Sequence, residues 1–450
     1  MNTINTRPFL EDKLIYNYPI YHPYSFLGQN YSNFLNLAKG DGVYLYDVNG
    51  KRYLDASSGL WNISLGYRNQ GIEAAIVEQM NLLPYCSIFD NTNPTLVKTA
   101  NKILRMLPQN FNKVFFTCSG SESIEVAIKA IRYFWYTQKK YRKNTIISFR
   151  QAYHGTYYGS MTVSGIEYEY DNMNAYAPLL GGITIFDGAG CLECTRQHQN
   201  CNAECLQPLE AYLQAHSAEV GGMMVEPVFA SKGMITPPPK FLERIQELCV
   251  TFELLLAIDE VATGFYRTGT AFCFEKYQLK PELVCMSKGI NSGYLPFGAV
   301  AFNRKISEIL DRNRDIFMHG STQNGNLLAC AACCAAIDQY LDSKVATNVN
   351  WLSEYIIYEI KRRLEGHRNF NGIRGQGFLF SIDLVNNHKE KMKLKLEHIL
   401  EIQEKLRDAG LITYRSEYGI SLIPMLIMTK AEVDSMLEII TAIFERVIIS

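Results

Sequence analysis

Short apolar runs alternate with stretches of helical periodicity between residues 96 and 302. In the helical stretches apolar residues recur every three to four positions, whereas the runs between them are too short for helices and predict buried strands. Strands separated by helices predict a mostly parallel sheet with helices on both faces, an α/β fold. The predicted helices are 99–106, 123–137 and 241–252, and the predicted strands are 114–116, 145–148, 222–225, 254–258, 283–285 and 299–302.

The two flanks of this region show other patterns. Residues 42–55 alternate between apolar and polar positions on both sides of Asn49-Gly50, which predicts a β-hairpin. The closely spaced glycines at 372–377 precede a strand and open no helix, so we interpret them as a turn and not as a dinucleotide-binding loop. Beyond residue 324 the pattern predicts an α+β region, with helices at 325–341 and 349–364, strands near 377–384 and 420–423, and a final helix from Lys430.

The length, apolar content and charge of the chain argue against a membrane protein, a secreted protein and a nucleic-acid-binding protein. The chain has 450 residues, of which 47% are apolar, so we expect two or three domains with large hydrophobic cores. No apolar stretch approaches 18 uninterrupted residues, and residues 1–17 lack the apolar segment of a signal peptide, so we expect a cytoplasmic protein without a membrane partner. The 44 basic and 45 acidic side chains are dispersed, and we expect no nucleic-acid partner.

Four of the twelve cysteines form a pattern of their own. Cys191, Cys194, Cys201 and Cys205 have the spacing C-x2-C-x6-C-x3-C in a polar stretch, which could hold zinc or an iron–sulfur cluster. The alternative is a loop with incidental thiols or a disulfide, and the short linker between the pairs favours it, so we assign no metal. The other eight lie in apolar surroundings typical of buried thiols: Cys86, Cys118, Cys249, Cys273, Cys285, Cys330, Cys333 and Cys334.

Two predicted strands end on side chains with useful chemistry. Lys288 follows the strand at 283–285 and precedes a glycine, and Asp259 follows the strand at 254–258. Ligands bind at the carboxyl ends of strands in open α/β sheets. A desolvated amine can form a Schiff base with an aldehyde, and a carboxylate can keep a pyridine nitrogen protonated, so the pair suggests pyridoxal phosphate. Taken singly, Lys288 could be a solvated surface lysine and Asp259 part of a turn.

Two further segments could contact such a cofactor. The Ser-Gly-Ser segment 119–121 lies between the strand at 114–116 and a strong helix, where backbone amides and a hydroxyl can converge on a phosphate. An ordinary helix cap is the alternative interpretation. In the Tyr-His-Gly segment 153–155, the ring of Tyr153 could stack on a planar cofactor, or it could be a core aromatic.

Five motifs in a fixed order carry a family resemblance. They are Ser-Gly-Ser-Glu at 119–122, Tyr-His-Gly at 153–155, Glu-Pro-Val at 226–228, Ile-Asp-Glu-Val-Ala-Thr-Gly at 258–264 and Ser-Lys-Gly-Ile-Asn-Ser-Gly at 287–293. Together they resemble the class III (omega) aminotransferases of pyridoxal-phosphate fold type I, over nearly the whole chain. The resemblance implies a large cofactor-binding domain at 71–325 with a cysteine-rich insertion at 188–206, and a small α+β domain built from 1–70 and 326–450.

The resemblance also implies roles for individual residues. Lys288 would be the Schiff-base lysine and the proton shuttle, and Asp259 would pair with the pyridine nitrogen. Tyr153 would stack on the cofactor ring, and Val261 would lie behind it. Thr322 of a neighbouring subunit would complete the phosphate site, which implies a homodimer with shared active sites. The implied cofactor contacts are Ser119, Gly120, Ser121, Tyr153, His154, Glu226, Asp259, Val261, Lys288 and Thr322.

On the substrate side the chain resembles the amine and omega-amino acid:pyruvate branch of that family. Trp61 would form a wall of the pocket, and Arg415 would bind the carboxylate of a substrate. Thr156 stands where enzymes acting on 4-aminobutyrate and ornithine commonly have an arginine, which argues against a glutamate and 2-oxoglutarate pair. Tyr24 and Phe89 would line the pocket from the partner chain.

The implied activity is transfer of an amino group from an amine or omega-amino acid to a keto acid, with pyruvate expected, in a ping-pong reaction that uses pyridoxal 5'-phosphate (PLP). A racemase or aminomutase on the same scaffold would use the same Lys288 and Asp259. A non-catalytic binding protein is a further alternative, but it would have little reason to keep both residues with Tyr153. The chain departs from the family pattern at 323–327 and at Pro424-Met425.

Overall fold

The structure, a computed structural model, describes residues 19–24, 34–166, 173–188, 201–387 and 391–447. Its strands are β1 Leu37–Asp41, β2 Tyr44–Asp47, β3 Arg52–Asp55, β4 Phe111–Thr117, β5 Thr145–Phe149, β6 Ile183–Phe186, β7 Val220–Val225, β8 Leu255–Asp259, β9 Leu283–Met286, β10 Gly298–Asn303, β11 Phe370–Gln376, β12 Leu379–Leu384, β13 Leu411–Ile412, β14 Tyr414–Ser416 and β15 Gly419–Leu422. Its α-helices are Gln70–Leu82, Pro94–Met106, Gly120–Thr137, Tyr158–Val163, Gln207–His216, Pro239–Thr251, Arg304–Asn313, Leu327–Tyr340, Ser343–Leu364, Leu396–Asp408 and Lys430–Phe444. None of the described helices has the length and apolarity needed to cross a membrane.

The described residues form three sheets, and the largest has seven strands in the order β4-β10-β9-β8-β7-β5-β6. Its neighbouring strands pair in parallel except at β10, which runs antiparallel to β4 and β9. Every residue of β7, β8, β9 and β10 is buried, as expected for strands covered by helices on both faces. The mostly parallel sheet predicted from the sequence is therefore confirmed.

The predicted helices and strands of this sheet region are present, and several extend beyond their predicted bounds. The helix expected at 123–137 begins at Gly120, where the Ser119 hydroxyl accepts a hydrogen bond from the Glu122 amide. The helix expected at 99–106 begins at Pro94, and Asn93 caps its first turn. Apolar periodicity reveals only the residues on the buried face of a helix. It therefore does not predict a first turn that consists of polar residues.

The prediction of a turn at 372–377 is wrong. These residues belong largely to β11, which pairs antiparallel with β12, and the chain reverses only at Gly377 and Phe378. Gly372 and Gly375 have φ angles of +143° and +154°, which glycine adopts easily and other residues do not. Pairing with β12 stabilises the extended conformation of this glycine-rich segment. The strand preferences of its residues do not predict that pairing.

Segments from both ends of the chain meet in a second sheet, of order β1-β2-β3-β13. Strands β2 and β3 form the predicted hairpin, with Leu45 opposite Tyr53, and β13 runs parallel to β3. The third sheet, of order β11-β12-β15-β14, belongs to the C-terminal part of the chain. The predicted fold class, a mostly parallel central sheet with a smaller α+β unit from both ends of the chain, is confirmed.

Candidate active site

The predicted cofactor residues gather at one edge of the central sheet. Strands β4, β5, β7, β8 and β9 run in the same direction, so their carboxyl ends lie at the same edge. The predicted residues at these ends are Ser119 after β4, Tyr153 and His154 after β5, Glu226 after β7, Asp259 in β8 and Lys288 after β9.

Asp259 is held by two hydrogen bonds at the end of β8. His154 Nδ1 lies 2.8 Å from Asp259 Oδ2, and the Val261 amide donates to Oδ1 over 2.9 Å. Both side chains are buried, and the Ser164 hydroxyl accepts from the His154 amide over 2.7 Å. A buried carboxylate with two such partners has a fixed orientation. His154 Nε2 has no hydrogen-bond partner among the described residues.

Lys288 opens a short 3-10 helix, Lys288–Asn291, directly after β9, with a φ of +44°. Its side-chain nitrogen lies 4.7 Å from the centre of the Trp61 ring. Desolvation lowers the pKa of the Lys288 amine from its usual 10.5, although the charges of Asp259 and Glu226 oppose the shift. The neutral amine, which is the nucleophilic form, is therefore more accessible than in an ordinary lysine.

Glu226 is a second buried carboxyl group at this edge. The Tyr153 amide donates to Glu226 Oε2 over 2.9 Å. Burial, and then the charge of Asp259, raise the pKa of Glu226 well above its usual value. The two buried carboxyl groups at this edge therefore interact and do not ionise independently.

The loop before the helix that begins at Gly120 has the form of an anion site. The Ser121 hydroxyl accepts from the Thr156 amide over 3.2 Å, which joins this loop to the one after β5. A methyl group on Gly120 would lie 2.9 Å from Val261 Cγ1. A methyl group on Gly155, whose φ is +123°, would lie 2.3 Å from the Ser121 hydroxyl. Glycine thus allows three loops to meet at the positive end of an 18-residue helix.

A buried network beside this loop was not among the predicted site residues. Glu122 Oε2 accepts from the Cys118 amide over 2.7 Å, and Oε1 accepts from Asn324 Nδ2 over 2.8 Å and lies 3.3 Å from His319 Nε2. Burial alone would raise the pKa of Glu122, but these three hydrogen bonds lower it. The Ser-x-x-Glu spacing at 119–122 is a capping signal that could have indicated Glu122. Asn324 lies 202 residues further along the chain and carries no such signal.

Phe89 and Thr322 lie together on an exposed surface. A methyl group on Gly320 would lie 3.0 Å from the Phe89 ring, and the Tyr85 hydroxyl donates to the Thr322 carbonyl oxygen over 2.8 Å. Phe89 and Thr322 are both exposed. The resemblance implied that both residues act in the site of a partner subunit, and the structure places them on the same face of the chain.

Tyr24 lies near a predicted cofactor residue of its own chain. Its ring is 6.4 Å from the ring of Tyr153, at an angle of 62°. The Tyr24 side chain is largely exposed. Its expected role in the pocket of a partner chain stays a prediction.

Trp61 packs against β14, the strand to which Arg415 belongs. The Trp61 ring packs edge-on against Tyr414, with 5.8 Å between ring centres, and Arg415 follows Tyr414 on the strand. Trp61 is buried, whereas Arg415 is exposed and has no carboxylate partner among the described residues. Trp61 therefore forms an aromatic wall against Lys288, and Arg415 is an exposed cation on the strand that Trp61 contacts.

The cysteines differ in part from expectation. Of the eight predicted buried thiols, Cys86 and Cys118 are only half-buried, because each lies in a loop near the surface, and the other six are buried. Cys191 and Cys194 lie outside the described residues. Within the part of the chain that the structure describes, no three His, Cys, Asp or Glu side chains are grouped as a metal site would require.

Comparison with known proteins identifies the family. The sequence profile of the family "Aminotransferase class-III" matches residues 26–444. The chain belongs to the class-III aminotransferases. It is 29% identical over 434 residues to the adenosylmethionine-8-amino-7-oxononanoate aminotransferase of Staphylococcus aureus, a match that covers 93% of this chain and 94% of that one. The protein is thus an enzyme, and like the rest of its family it depends on PLP.

Two solved structures of aminotransferases are similar along almost the whole chain. An (S)-enantioselective omega-transaminase from Thermomicrobium roseum has a TM-score of 0.91 at 29% identity, over 96% of this chain and 98% of that one. An amine transaminase from an uncultivated Pseudomonas species, solved with PLP bound, has a TM-score of 0.89 at 29% identity, over 95% and 98% of the two chains. The fold of this class-III aminotransferase is therefore that of the omega-transaminases.

Proposed function

We propose that this aminotransferase moves an amino group from an amine or omega-amino acid to a keto acid, with pyruvate as the acceptor, in a ping-pong cycle. The observation that carries the proposal is the environment of Lys288. Its amine has a lowered pKa, interacts electrostatically with Asp259 and Glu226, and lies 4.7 Å from the centre of the Trp61 ring. Such a lysine can both attack a carbonyl group and carry a proton.

The residues at the sheet edge fit PLP. When bound, PLP supplies an aldehyde that condenses with amines and a ring that withdraws electrons. The loop at Gly120 and Ser121 would hold the phosphate, because its backbone amides lie at the positive end of the helix Gly120–Thr137 and the absence of a side chain at Gly120 lets the loops approach closely. Asp259 would face the ring nitrogen, held in place by His154. Tyr153 would lie against one face of the ring.

Lys288 would take a proton from the substrate carbon and return it. Desolvation favours its neutral form, which can accept the proton, and the charges of Asp259 and Glu226 favour its protonated form, which can donate it. Desolvation and these two charges thus act in opposite directions on the pKa of Lys288. A proton carrier requires this balance.

The substrate side supports amines and omega-amino acids as donors. Trp61 gives the pocket an apolar wall next to Lys288, and Arg415 has no carboxylate partner among the described residues. Arginine binds a carboxylate through two parallel hydrogen bonds, so Arg415 could serve both a keto acid and an amino acid. Thr156 offers no cation for the second carboxylate of 2-oxoglutarate, which favours pyruvate as acceptor.

We also propose that the enzyme is a homodimer with shared sites. The chain segments on either side of Phe89 and before Thr322 expose several large apolar side chains, and apolar surface of this kind marks protein interfaces. A second copy of the chain that covered this face would bring Thr322 to the phosphate site of its partner. The exposed apolar residues of this region are Met80, Leu82, Leu83, Phe89, Val97, Ile316 and Met318.

The test is a matrix of donors and acceptors with the holoenzyme. Donors are an uncharged aromatic amine, β-alanine and 4-aminobutyrate, and acceptors are pyruvate and 2-oxoglutarate; alanine and glutamate are measured as products. We expect alanine in amounts equal to the donor consumed, and little glutamate. Conversion of an amino compound without consumption of keto acid would instead establish the racemase or aminomutase alternative.

One further pair belongs in the same matrix. The name of the Staphylococcus aureus relative gives adenosylmethionine and 8-amino-7-oxononanoate as its substrates. Turnover of that pair well above every amine and pyruvate combination would overturn the proposed donor and acceptor, while leaving the aminotransferase chemistry of Lys288 in place.

A further inference from the structure

Four consecutive residues at the substrate side adopt a left-handed conformation. The φ angles of Ser58, Gly59, Leu60 and Trp61 are +48°, +54°, +72° and +65°. L-residues rarely form such a turn, because Cβ approaches the following carbonyl oxygen, and normally only single glycine or asparagine residues adopt this conformation. Three of the four residues carry a Cβ atom, so the surrounding structure must hold the turn in place.

Asp55, at the end of β3, supplies much of that support. Its Oδ1 accepts from the amide and the hydroxyl of Ser57, over 2.8 and 2.7 Å. Its Oδ2 accepts from the Gly59 amide over 2.8 Å and from the Tyr67 hydroxyl over 2.7 Å. The carboxylate is fully buried. One side chain therefore binds the residue before the turn, a residue within it and a tyrosine beyond it.

The turn determines where the indole of Trp61 lies. Trp61 is its last residue, and the ring is 4.7 Å from the Lys288 nitrogen and packs against Tyr414. Side-chain direction follows from φ and ψ, so a turn that relaxed to the right-handed region would carry the indole away from Lys288. The indole nitrogen is buried without a hydrogen-bond partner among the described residues, so the backbone turn and apolar packing hold the ring.

We infer that Asp55 and Tyr67 are positioning residues, which hold the left-handed turn and thereby keep the Trp61 indole against Lys288. The consequence for substrates rests on the proposed function. The indole forms the wall beside the reacting amine, where a substituent of the donor must lie. The turn therefore limits the size of that substituent, and loosening the turn admits bulkier donors.

Tyr67→Phe is the variant that tests the inference, because it removes one hydrogen bond to Asp55 and keeps the aromatic ring. Tyr53→Phe is its matched control. Tyr53 lies in β3, the strand that ends at Asp55, and its hydroxyl donates over 3.2 Å to Asp47, which is outside the turn. Asp55→Asn is a second test variant, which keeps the shape of the side chain and removes its charge. If Asp55→Asn does not fold, the test relies on Tyr67→Phe alone.

A fluorine label gives a readout that does not depend on activity. The chain has three tryptophans, at 61, 135 and 351, and in protein labelled with 5-fluorotryptophan the Trp61 resonance is the one lost in Trp61→Phe. We expect Tyr67→Phe to shift or broaden this resonance and Tyr53→Phe to leave it unchanged. An unchanged Trp61 resonance in Tyr67→Phe, or an equal change in the control, would overturn the inference.

The second readout is kcat/KM for a small and a bulky uncharged amine, sec-butylamine and 1-phenylethylamine, with pyruvate as acceptor. We expect the ratio of bulky to small to rise about tenfold in Tyr67→Phe, which is the order of effect of a methylene-sized change in a pocket. Cofactor content and Tm should match those of Tyr53→Phe. A wild-type enzyme that converts neither amine contradicts the proposed function, whereas wild-type activity with an unchanged ratio in Tyr67→Phe contradicts this inference alone.

Discussion

The cofactor side and the substrate side of the site are built in different ways. On the cofactor side, Asp259, Glu226 and Ser121 each accept a hydrogen bond from a backbone amide of a neighbouring loop, over 2.9, 2.9 and 3.2 Å. On the substrate side, Trp61 depends on a left-handed turn held by side chains, and Arg415 is exposed without a carboxylate partner among the described residues.

The difference has a consequence for substitutions. On the cofactor side the side chains that accept these bonds are themselves predicted cofactor contacts, and the reaction of every donor uses the same cofactor. The substrate side depends on a few side-chain contacts, and single substitutions there can move its walls. Changes on the cofactor side should therefore alter the rate with all donors alike, and changes on the substrate side should alter the choice among donors.

Lys288→Ala tests the cofactor side most severely. Turnover should fall more than about a thousandfold with every donor, because one amine serves as covalent partner and as proton carrier. PLP should still bind, held by the loop at Gly120 and by Asp259, but without a covalent bond to the protein. Absorbance spectra and PLP content after gel filtration test the second point. A variant that retained a tenth of the activity would contradict the assignment of Lys288.

Arg415→Ala tests the substrate side. Single-turnover rates with β-alanine and with pyruvate should fall about a hundredfold, since hydrogen bonds to a charged group contribute about 1.5–3 kcal/mol each. The half-reaction with an uncharged amine is the internal control and should change little. Equal losses with charged and uncharged substrates would show that Arg415 has another role. They would also show that a substitution on the substrate side can lower the rate without changing the choice among donors.

The pH dependence of PLP capture by the apoenzyme tests the environment of Lys288. Only the neutral amine reacts, so the rate constant should rise about tenfold per pH unit and then level off. Because desolvation lowers the pKa of Lys288, the plateau should begin below pH 10.5. Nα-acetyl-lysine amide, a free lysine side chain, is the control. A plateau at or above that of the control would mean that the two carboxyl groups outweigh desolvation.

Glu122→Gln should weaken PLP binding without changing selectivity among donors. Glu122 joins the phosphate loop to the segment that carries Thr322, and loss of its charge weakens the bonds from Cys118 and Asn324. The dissociation constant for PLP should rise roughly threefold to tenfold. Glu125→Gln is the matched control, since Glu125 lies on the same helix and accepts from Ser160. A changed donor preference in Glu122→Gln would contradict the expectation that substitutions on the cofactor side affect all donors alike.

The two sides also differ in how far the sequence predicts them. The patterns at 254–258 and 283–285 contain both a strand and the residue at its end, and β8 and β9 are neighbours in the sheet. Lys288 and Asp259 could therefore be placed together. The turn at 58–61 has no comparable signal, because its conformation comes from Asp55 and Tyr67 and not from its own residues.

Contacts between segments far apart in the sequence also limited the prediction in two other places. Asn324 reaches Glu122 across 202 residues of chain, and no local pattern connects them. Strand β11 contains glycines that by themselves indicate a turn, and only its pairing with β12 makes it a strand. Periodicity reports burial and local geometry, so contacts between distant segments remain outside its reach.

The smallest effect is expected from the cysteine-rich segment, which belongs to neither side of the site. Cys201 is half-buried and Cys205 is exposed. Replacing Cys191, Cys194, Cys201 and Cys205 by Ser should leave the rate per folded active site within about twofold of wild type, because the predicted catalytic groups lie at the strand ends, and should lower Tm if the four thiolates bind zinc. If elemental analysis finds about one zinc per chain, the zinc should occupy a closed structural site of four thiolates. Loss of catalysis on chelation, with fold and PLP content intact, would instead make this segment part of the catalytic machinery.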